Sequence, residues 1–194
     1  LTPSDYVWLS IGINGCIMNS AEFNRLVQLE LTSGRYIGTE NYIQVIARYG
    51  WGSLTPRSSL KGQIGNDLSV ISAGIEFKSL YPSFYTSILQ YFLAGMDINS
   101  YSFRYNTPLE SVYCTPEGDE ISENIYDDGV TAADIHAGVG FIVGQTPKTQ
   151  ICAELSPGYL IMAARTHEGA DNEVLKNTFY IKLKLVLYFA YRKI

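Results

Sequence analysis

A histidine and an aspartate two residues apart are the side chains in this sequence that could take part in catalysis. Asp134 and His136 would lie on one face of an extended strand, because successive side chains of a strand point to opposite sides. A histidine beside a carboxylate can act as a general acid or base. No other histidine has a carboxylate on the same face of a strand-like segment. The pair is therefore the one candidate for acid–base chemistry, and its role depends on which face of the strand it occupies.

Residues 106–130 form a second chemically distinct segment, which is strongly acidic. Hard cations such as Ca²⁺ favour clustered carboxylates, but the spacing here is not that of a known calcium loop. We expect a solvated acidic loop, and cation binding stays open. Its aromatic and apolar residues suggest a contact surface as well, because a purely solvating loop needs none. The segment contains seven acids and no base: Glu110, Glu117, Asp119, Glu120, Glu123, Asp127 and Asp128.

Two lysines lie inside the apolar stretch TFYIKLKLVLYFAYRKI, residues 178–194. Counted by alternate positions, the leucines and most aromatic residues share one face, while Lys182, Lys184 and Arg192 share the other. A helix would instead scatter both lysines among apolar side chains. The stretch is therefore interpreted as a strand with one apolar face and one basic face.

The same alternation recurs in seven earlier segments, which makes eight strands. Long and short connections alternate, so that long loops gather at one end and tight turns at the other. This predicts an all-β fold, an eight-stranded up-and-down antiparallel barrel formed by a single domain over residues 1–194. Residues 87–105 drift in phase, which predicts a bulge near Gly95. Pro157 cannot donate a ladder hydrogen bond, which predicts a local break in the seventh strand.

Two kinds of barrel fit this pattern, and they differ in which face meets water. A soluble, calycin-like barrel would bury the apolar face around an apolar ligand, whereas a transmembrane barrel turns that face to lipid and keeps a polar lumen. The polar face here is rich in glycine and carries charges of both signs, which suits an enclosed lumen in which charges pair. We therefore predict a transmembrane barrel with a filled, non-conducting lumen and its long loops outside the cell. Its Lys182 and Lys184 should lie within salt-bridge range of some of the glutamates Glu30, Glu76 and Glu154, and Glu154 is the favoured partner because strands seven and eight are neighbours. The predicted lumen network consists of Glu30, Arg48, Glu76, Lys78, Asp134, His136, Glu154, Lys182, Lys184 and Arg192.

Eight strands, alternating loops and turns, and an aromatic closing strand resemble the small outer-membrane barrels of the OmpA/OmpX type. The phrases VISAGIEFKSLYPSF and AELSPGYLIMAAR are most similar to the porin-like small barrels of Bacteroidota. The resemblance implies a location in the bacterial outer membrane, in contact with lipid and lipopolysaccharide. Barrel enzymes that act on lipid A have a His-x-Ser pattern, but Gly138 follows His136 at that spacing. We therefore expect no enzymatic activity, no cofactor and no metal in the barrel itself, while cation binding by the acidic segment stays open.

The predicted function is that of a structural or accessory subunit of an outer-membrane protein assembly, such as a barrel-insertion or protein-export machine. A standalone adhesin or envelope-integrity barrel of the OmpX kind is the alternative within the membrane. The sixth and seventh strands carry small apolar side chains on their outward face, and such residues favour close packing against another protein. The candidate contact residues are Ala137, Phe141, Ala153 and Tyr159 on the wall, with Tyr113 and Tyr126 in the acidic segment.

The overall charge and the cysteines add two further expectations. With a net charge of −5 and no basic patch, nucleic acid is not an expected partner. Cys16 and Cys114 both lie toward the long-loop end of the predicted barrel. The sequence is compatible with a disulfide between them and also with two free thiols, and both alternatives stay open.

Overall fold

The computed structural model describes residues 6–19, 23–54, 66–81, 90–106, 125–165 and 178–192, and these residues form one closed antiparallel barrel. Each strand pairs with its neighbours in the chain, and the first strand pairs with the last along their length. The predicted eight-stranded up-and-down topology is therefore confirmed. The strands are β1 (Tyr6–Met18), β2 (Phe23–Ile37), β3 (Asn41–Leu54), β4 (Asn66–Tyr81), β5 (Gln90–Asn106), β6 (Ile125–Gln145), β7 (Thr149–Arg165) and β8 (Phe179–Arg192).

The barrel has two unlike ends. The end at which β1 joins β2, β3 joins β4, β5 joins β6 and β7 joins β8 is called the loop end. The other end, where β1 begins and β8 ends, is called the turn end. Its β2–β3 turn is tight, and Gly38 has a φ of 75° there, a conformation that glycine adopts without steric cost.

Side chains alternate between an apolar outer wall and the lumen. Leu183 is 64% exposed on the wall, whereas its neighbour Lys184 is 5% exposed inside the barrel. A soluble barrel would show the reverse, because charged side chains would then face water. The soluble, calycin-like alternative is therefore wrong. Among the described residues, no helix is both long and apolar enough to span a membrane.

The fifth strand is more regular than its sequence suggested. Strand β5 pairs with β4 and β6 in unbroken register past Gly95, so the predicted bulge is wrong. The described part of the strand begins at Gln90, and residues 87–89 lie outside the described residues. The drift in phase arises because Tyr91, Leu93 and Tyr101 are apolar yet face the lumen. Because both faces of β5 carry apolar residues, the regular alternation between wall and lumen cannot be recognised in its sequence.

Pro157 disturbs only one side of its strand. Strand β7 continues through the proline, which pairs with Ile181 of β8. Toward β6, however, the ladder is interrupted, because Ala137 and Gly138 have no partners in β7. The residues before and after them, His136 and Val139, are paired. The predicted break is therefore confined to the side that faces β6.

The lumen is filled in three layers, and only the middle one is mainly charged. The prediction of a polar lumen was incomplete, because lumen-facing positions near both ends are apolar or aromatic. The loop-end layer consists of Cys16, Met18, Leu26, Leu68, Val70, Tyr101, Val130, Ala132, Leu160 and Tyr180. The turn-end layer consists of Trp8, Tyr42, Tyr91, Leu93, Cys152, Val186 and Tyr188.

Lumen glycines make room for large side chains on the neighbouring strand. Gly158 lies directly opposite Tyr180, and a Cβ at Gly158 would lie 2.1 Å from the Cζ atom of that ring. Gly140 lies opposite Tyr91 in the same way, with 2.2 Å to its Cζ atom. The glycine content of the polar face therefore reflects packing of specific aromatic rings across the ladder.

Candidate functional site in the lumen

The centre of the lumen holds a cluster of lysines and glutamates from β4, β7 and β8. Lys184 Nζ lies 2.6 Å from Glu154 Oε2, and it is 3.5 Å from Glu76 Oε1. Lys78 Nζ lies 2.5 Å from Glu154 Oε1 and 3.2 Å from Glu76 Oε1. Lys184 also lies 3.1 Å from Glu30 Oε1 of β2. All of these side chains are buried, so each charge is compensated by contacts inside the barrel.

A second cluster is arranged around Arg48 and Asp97. The Arg48 Nε atom lies 2.6 Å from Glu30 Oε2, and its Nη1 atom lies 2.5 Å from Asp97 Oδ2. Lys182 Nζ lies 2.8 Å from the same Asp97 oxygen, and 4.9 Å from the ring centre of Tyr180. The carboxylates predicted for Lys182 were Glu30, Glu76 and Glu154, so its contact with Asp97 was missed.

His136 and Asp134, the candidate acid–base pair, lie inside this network. The Nε2 atom of His136 is 3.1 Å from Glu76 Oε2, and its Nδ1 atom is 3.5 Å from Asp134 Oδ1. Asp134 in turn accepts hydrogen bonds from the Tyr180 hydroxyl and the Asn99 amide, each at 2.6 Å. Both groups are buried and contact neighbours through their polar atoms, so the structure gives His136 and Asp134 a hydrogen-bonding role in the lumen.

The charges of the described lumen nearly balance. Five carboxylates face three lysines and one arginine, and His136 lies among them as a further basic group. Salt bridges cross the lumen between strands that are not adjacent, as from Lys182 to Asp97 and from Lys78 to Glu154. The network therefore holds opposite walls of the barrel together. Its carboxylates are Glu30, Glu76, Asp97, Asp134 and Glu154, and its lysines and arginine are Arg48, Lys78, Lys182 and Lys184.

Three of these groups are close enough to hold a metal ion, but their contacts argue against it. One ligand atom each from Asp97, Asp134 and His136 lie within 4.8 Å of one another. However, Asp97 Oδ2 already contacts two cationic side chains, and both oxygens of Asp134 accept hydrogen bonds. Asp97 Oδ1 has no hydrogen-bond partner among the described residues, but a metal there would lie beside the buried positive charges of Arg48 and Lys182. The donor set fits ion pairing better than metal ligation.

The remaining predicted residues lie on the wall, at the strand ends or outside the described residues. Ala137 and Tyr159 are exposed on the wall, and Ala153 lies half-buried directly opposite Phe141. Strand β6 begins at Ile125, so residues 125–130 belong to a strand and not to the acidic loop, which is a correction. The side chains of Tyr126, Asp127, Asp128 and Arg192, and residues 107–124 with Tyr113 and Cys114, lie outside the described part of the chain. Cys16 and Cys152 are free, buried thiols.

Comparisons with known proteins identify the fold but not a family. No protein-family model and no curated protein matches this chain. A major outer membrane protein from Thermus thermophilus superposes with a TM-score of 0.65 at 10% identity, over 95% of this chain and 99% of that one. Neisserial surface protein A gives a TM-score of 0.55 at 13% identity, over 95% and 97%. Ail, the attachment invasion locus protein of Yersinia pestis, gives 0.54 at 12% identity, over 97% and 99%.

These structures share the closed eight-stranded architecture and the length of this chain. They support a small outer-membrane barrel, and they do not support the narrower likeness to Bacteroidota barrels. This chain adds an observation of its own, because its outer wall is apolar and the described charges midway along its strands are enclosed in the lumen. The fold and the apolar wall together place the chain in the bacterial outer membrane, as the sequence predicted.

Proposed function

We propose that this protein is a non-enzymatic, non-conducting barrel that stands alone in the outer membrane and acts through its loop end. The observation that carries the proposal is the filled lumen. Buried salt bridges cross its centre, and an apolar layer closes it toward the loop end. Eight strands enclose only enough space for side chains, and the described side chains fill that space, which supports a barrel without a pore or a substrate channel.

The solved structures support a role at the cell surface. One of them is named a surface protein and another an attachment invasion locus protein, and both have this architecture. In a barrel with a filled lumen, the groups left to contact other molecules are the outer wall and the two ends. The loop end carries the acidic segment, whose aromatic residues suggested a contact surface in the sequence.

Planar-bilayer recording tests whether the lumen is closed. Purified barrel reconstituted into a bilayer should give no steady current, because the central charges are paired and the loop-end layer is apolar. Insertion is verified independently by protection of the strands from protease. A stable ohmic conductance from verified, inserted protein would overturn the proposal that the barrel does not conduct.

An accessory subunit is the second candidate function, and the outer wall provides the observation that favours it. Ala94 of β5 and Ala137 of β6 are exposed and directly opposite each other, between the larger exposed side chains Phe92 and Met96. Small residues permit close approach of another membrane segment. The two alanines therefore form a shallow part of the wall, next to the positions at which β6 and β7 are not paired.

Extraction from native membranes in a mild detergent separates the two candidates. A standalone barrel should be recovered as a monomer, whereas a subunit should bring a second outer-membrane protein with it. If a partner is found, A137L and A153L should weaken its co-purification, because leucine fills the shallow wall. A47L on the exposed face of β3 is the matched control. Loss of the partner with A47L alone would place the contact elsewhere on the wall.

A further inference from the structure

The apolar band of the outer wall is taller on one side of the barrel than on the other. The neighbouring strands β7, β8 and β1 are called the tall sector. On each of them the outward-facing positions carry no charged, amide, serine or threonine side chain over ten residues, which are residues 151–161, 179–189 and 7–17. At about 3.3 Å per residue and a strand tilt of about 35–45°, this run is about 25 Å tall. That is the usual height of the apolar band of an outer-membrane barrel.

The opposite side of the wall, formed by β2 to β5, is called the short sector. On β4 the outward apolar run covers only residues 71–77, and on β5 it covers residues 92–98. Each of these runs is about 15 Å tall by the same geometry. On β2 the run is shorter still, at residues 27–31. Strand β3 lies among them and carries Tyr49 and Trp51 toward the loop end, and these residue types are enriched at the level of lipid headgroups.

Polar side chains limit the short sector at both ends. Ser69 and Ser79 flank the apolar run of β4, and Gln90 and Ser100 flank that of β5. Alternation with the lumen-facing residues places all four on the wall. The two sectors therefore differ in height, and the difference is about 10 Å.

Tilting the barrel cannot match both sectors to a membrane of uniform thickness. A tilt moves the band of one sector up or down as a whole, so it leaves the height of that band unchanged. An apolar span shorter than the local hydrocarbon is instead accommodated by thinning of the bilayer. The headgroups of the two leaflets should therefore lie closer together beside the short sector than beside the tall sector.

The exposed arginines of β2 fit the same arrangement. Arg25 lies toward the loop end and Arg35 toward the turn end, and both are exposed on the wall of the short sector. A guanidinium group binds phosphate through paired hydrogen bonds, and each leaflet presents phosphates at its headgroup level. Charge complementarity therefore favours lipid headgroups at both ends of this sector.

The short sector is apolar in its middle and polar at both ends, which is the profile of a bilayer and not that of a protein surface. We propose that the short sector binds a locally thinned patch of the outer membrane. The headgroups of both leaflets then reach the wall at the levels of Ser69 and Ser79, while the tall sector spans a membrane of ordinary thickness.

Nitroxide labels on matched wall positions test the proposal in purified barrel, in vesicles of dioleoyl phosphatidylcholine and phosphatidylglycerol with no other protein. Electron paramagnetic resonance compares the access of a water-soluble nickel complex with that of oxygen, which concentrates in hydrocarbon. Both β4 labels should favour the nickel complex, and both β8 labels should favour oxygen. Labels near the middle of the two strands are the controls and should favour oxygen equally. The single cysteines, in a background without the native ones, are Ser69→Cys and Ser79→Cys on β4, Phe179→Cys and Phe189→Cys on β8, and the controls Ala73→Cys and Leu183→Cys.

The two labels of each strand are ten residues apart, which separates thinning from tilting. Equal oxygen access at the β4 and β8 pairs would show a band of one height and overturn the proposal. Nickel access at only one of the two β4 positions would indicate a tilted barrel, and it would overturn the proposal as well.

A variant with a lengthened apolar band provides the second test. Ser69 and Ser102 are paired across β4 and β5, so Ser69→Leu with Ser102→Leu extends the band past a label at Ser100→Cys. Oxygen access at that label should rise, because the lipid then meets a taller wall. Leu185→Ile in the tall sector is the control and should leave the label unchanged. Unchanged oxygen access in the lengthened variant would show that the wall does not set the level of the headgroups, which contradicts the proposal.

Discussion

Lys184 and Glu154 face each other directly across the β7–β8 ladder, and their charged atoms lie 2.6 Å apart in the middle of the lumen. Glu154 also contacts Lys78 of β4, so the pair is part of the connection between opposite walls. In a lumen closed to water, a charge left without its partner is costly. The stability of the barrel should therefore depend strongly on each member of this network.

Replacement of Lys184 by Met should destabilise the barrel, because it leaves nearby carboxylates under-compensated. The expected loss is about 3–5 kcal/mol in the free energy of unfolding, measured by urea titration in micelles. Leu183→Met, on the lipid-facing wall next to it, is the matched control and should cost less than about 1.5 kcal/mol. The double variant Lys184→Met/Glu154→Gln should lose less unfolding free energy than the two single variants lose in sum, and the difference should be about 0.5–3 kcal/mol. Strict additivity would show that the two groups do not interact.

The close approach of β6 and β7 at Gly138 gives a second expectation. A Cβ at this position would lie 2.1 Å from the backbone oxygen of Leu155, so the two strands would have to move apart. Gly138→Ala should therefore destabilise the barrel by about 1–3 kcal/mol. Gly15→Ala is the control, because a Cβ added at this position would have no neighbouring atom within 4 Å. Equal unfolding free energies for the two variants would mean that the backbones do not approach this closely.

Orientation in the membrane can be tested with residues at the two ends of the barrel. Asn19 is exposed at the loop end and Lys148 at the turn end. In a background with Cys16, Cys114 and Cys152 replaced by Ser, a membrane-impermeant maleimide on intact cells should label Asn19→Cys and not Lys148→Cys. After the outer membrane is permeabilised, both should react. Labelling of Lys148→Cys alone on intact cells would show that the barrel has the opposite orientation, with its turn end outside.

The fold could be predicted from the sequence because the alternation is strict wherever one face is apolar and the other polar. Strand β8 is the clearest example, since Lys182 and Lys184 alternate with Ile181, Leu183 and Leu185. The rule failed on β5, where Tyr91 and Leu93 face the lumen and Gly95 was taken for a bulge. A lumen packed with aromatic rings at its ends has no polar signature in the sequence.

The same failure hid Asp97, which contacts both Arg48 and Lys182. Its parity with Asn99 and Tyr101 was a usable signal, because a carboxylate in that apolar segment needs a buried cation. The ion-pair partners on non-adjacent strands could not be predicted, since contacts across the lumen depend on barrel closure and shear rather than on ladder neighbours. Lys184 does contact Glu154, its ladder neighbour, as the sequence predicted, but Lys182 contacts a residue three strands away.

The central claim is that the apolar face meets lipid and the polar face is enclosed, and the two tryptophans allow a direct test. Trp51 is 48% exposed on the wall, and Trp8 is 8% exposed in the lumen. In vesicles made with brominated lipids, the fluorescence of Trp51 in a Trp8→Phe variant should be strongly quenched. The fluorescence of Trp8 in a Trp51→Phe variant should stay close to its value in unbrominated vesicles. Quenching of Trp8 with no effect on Trp51 would contradict the account.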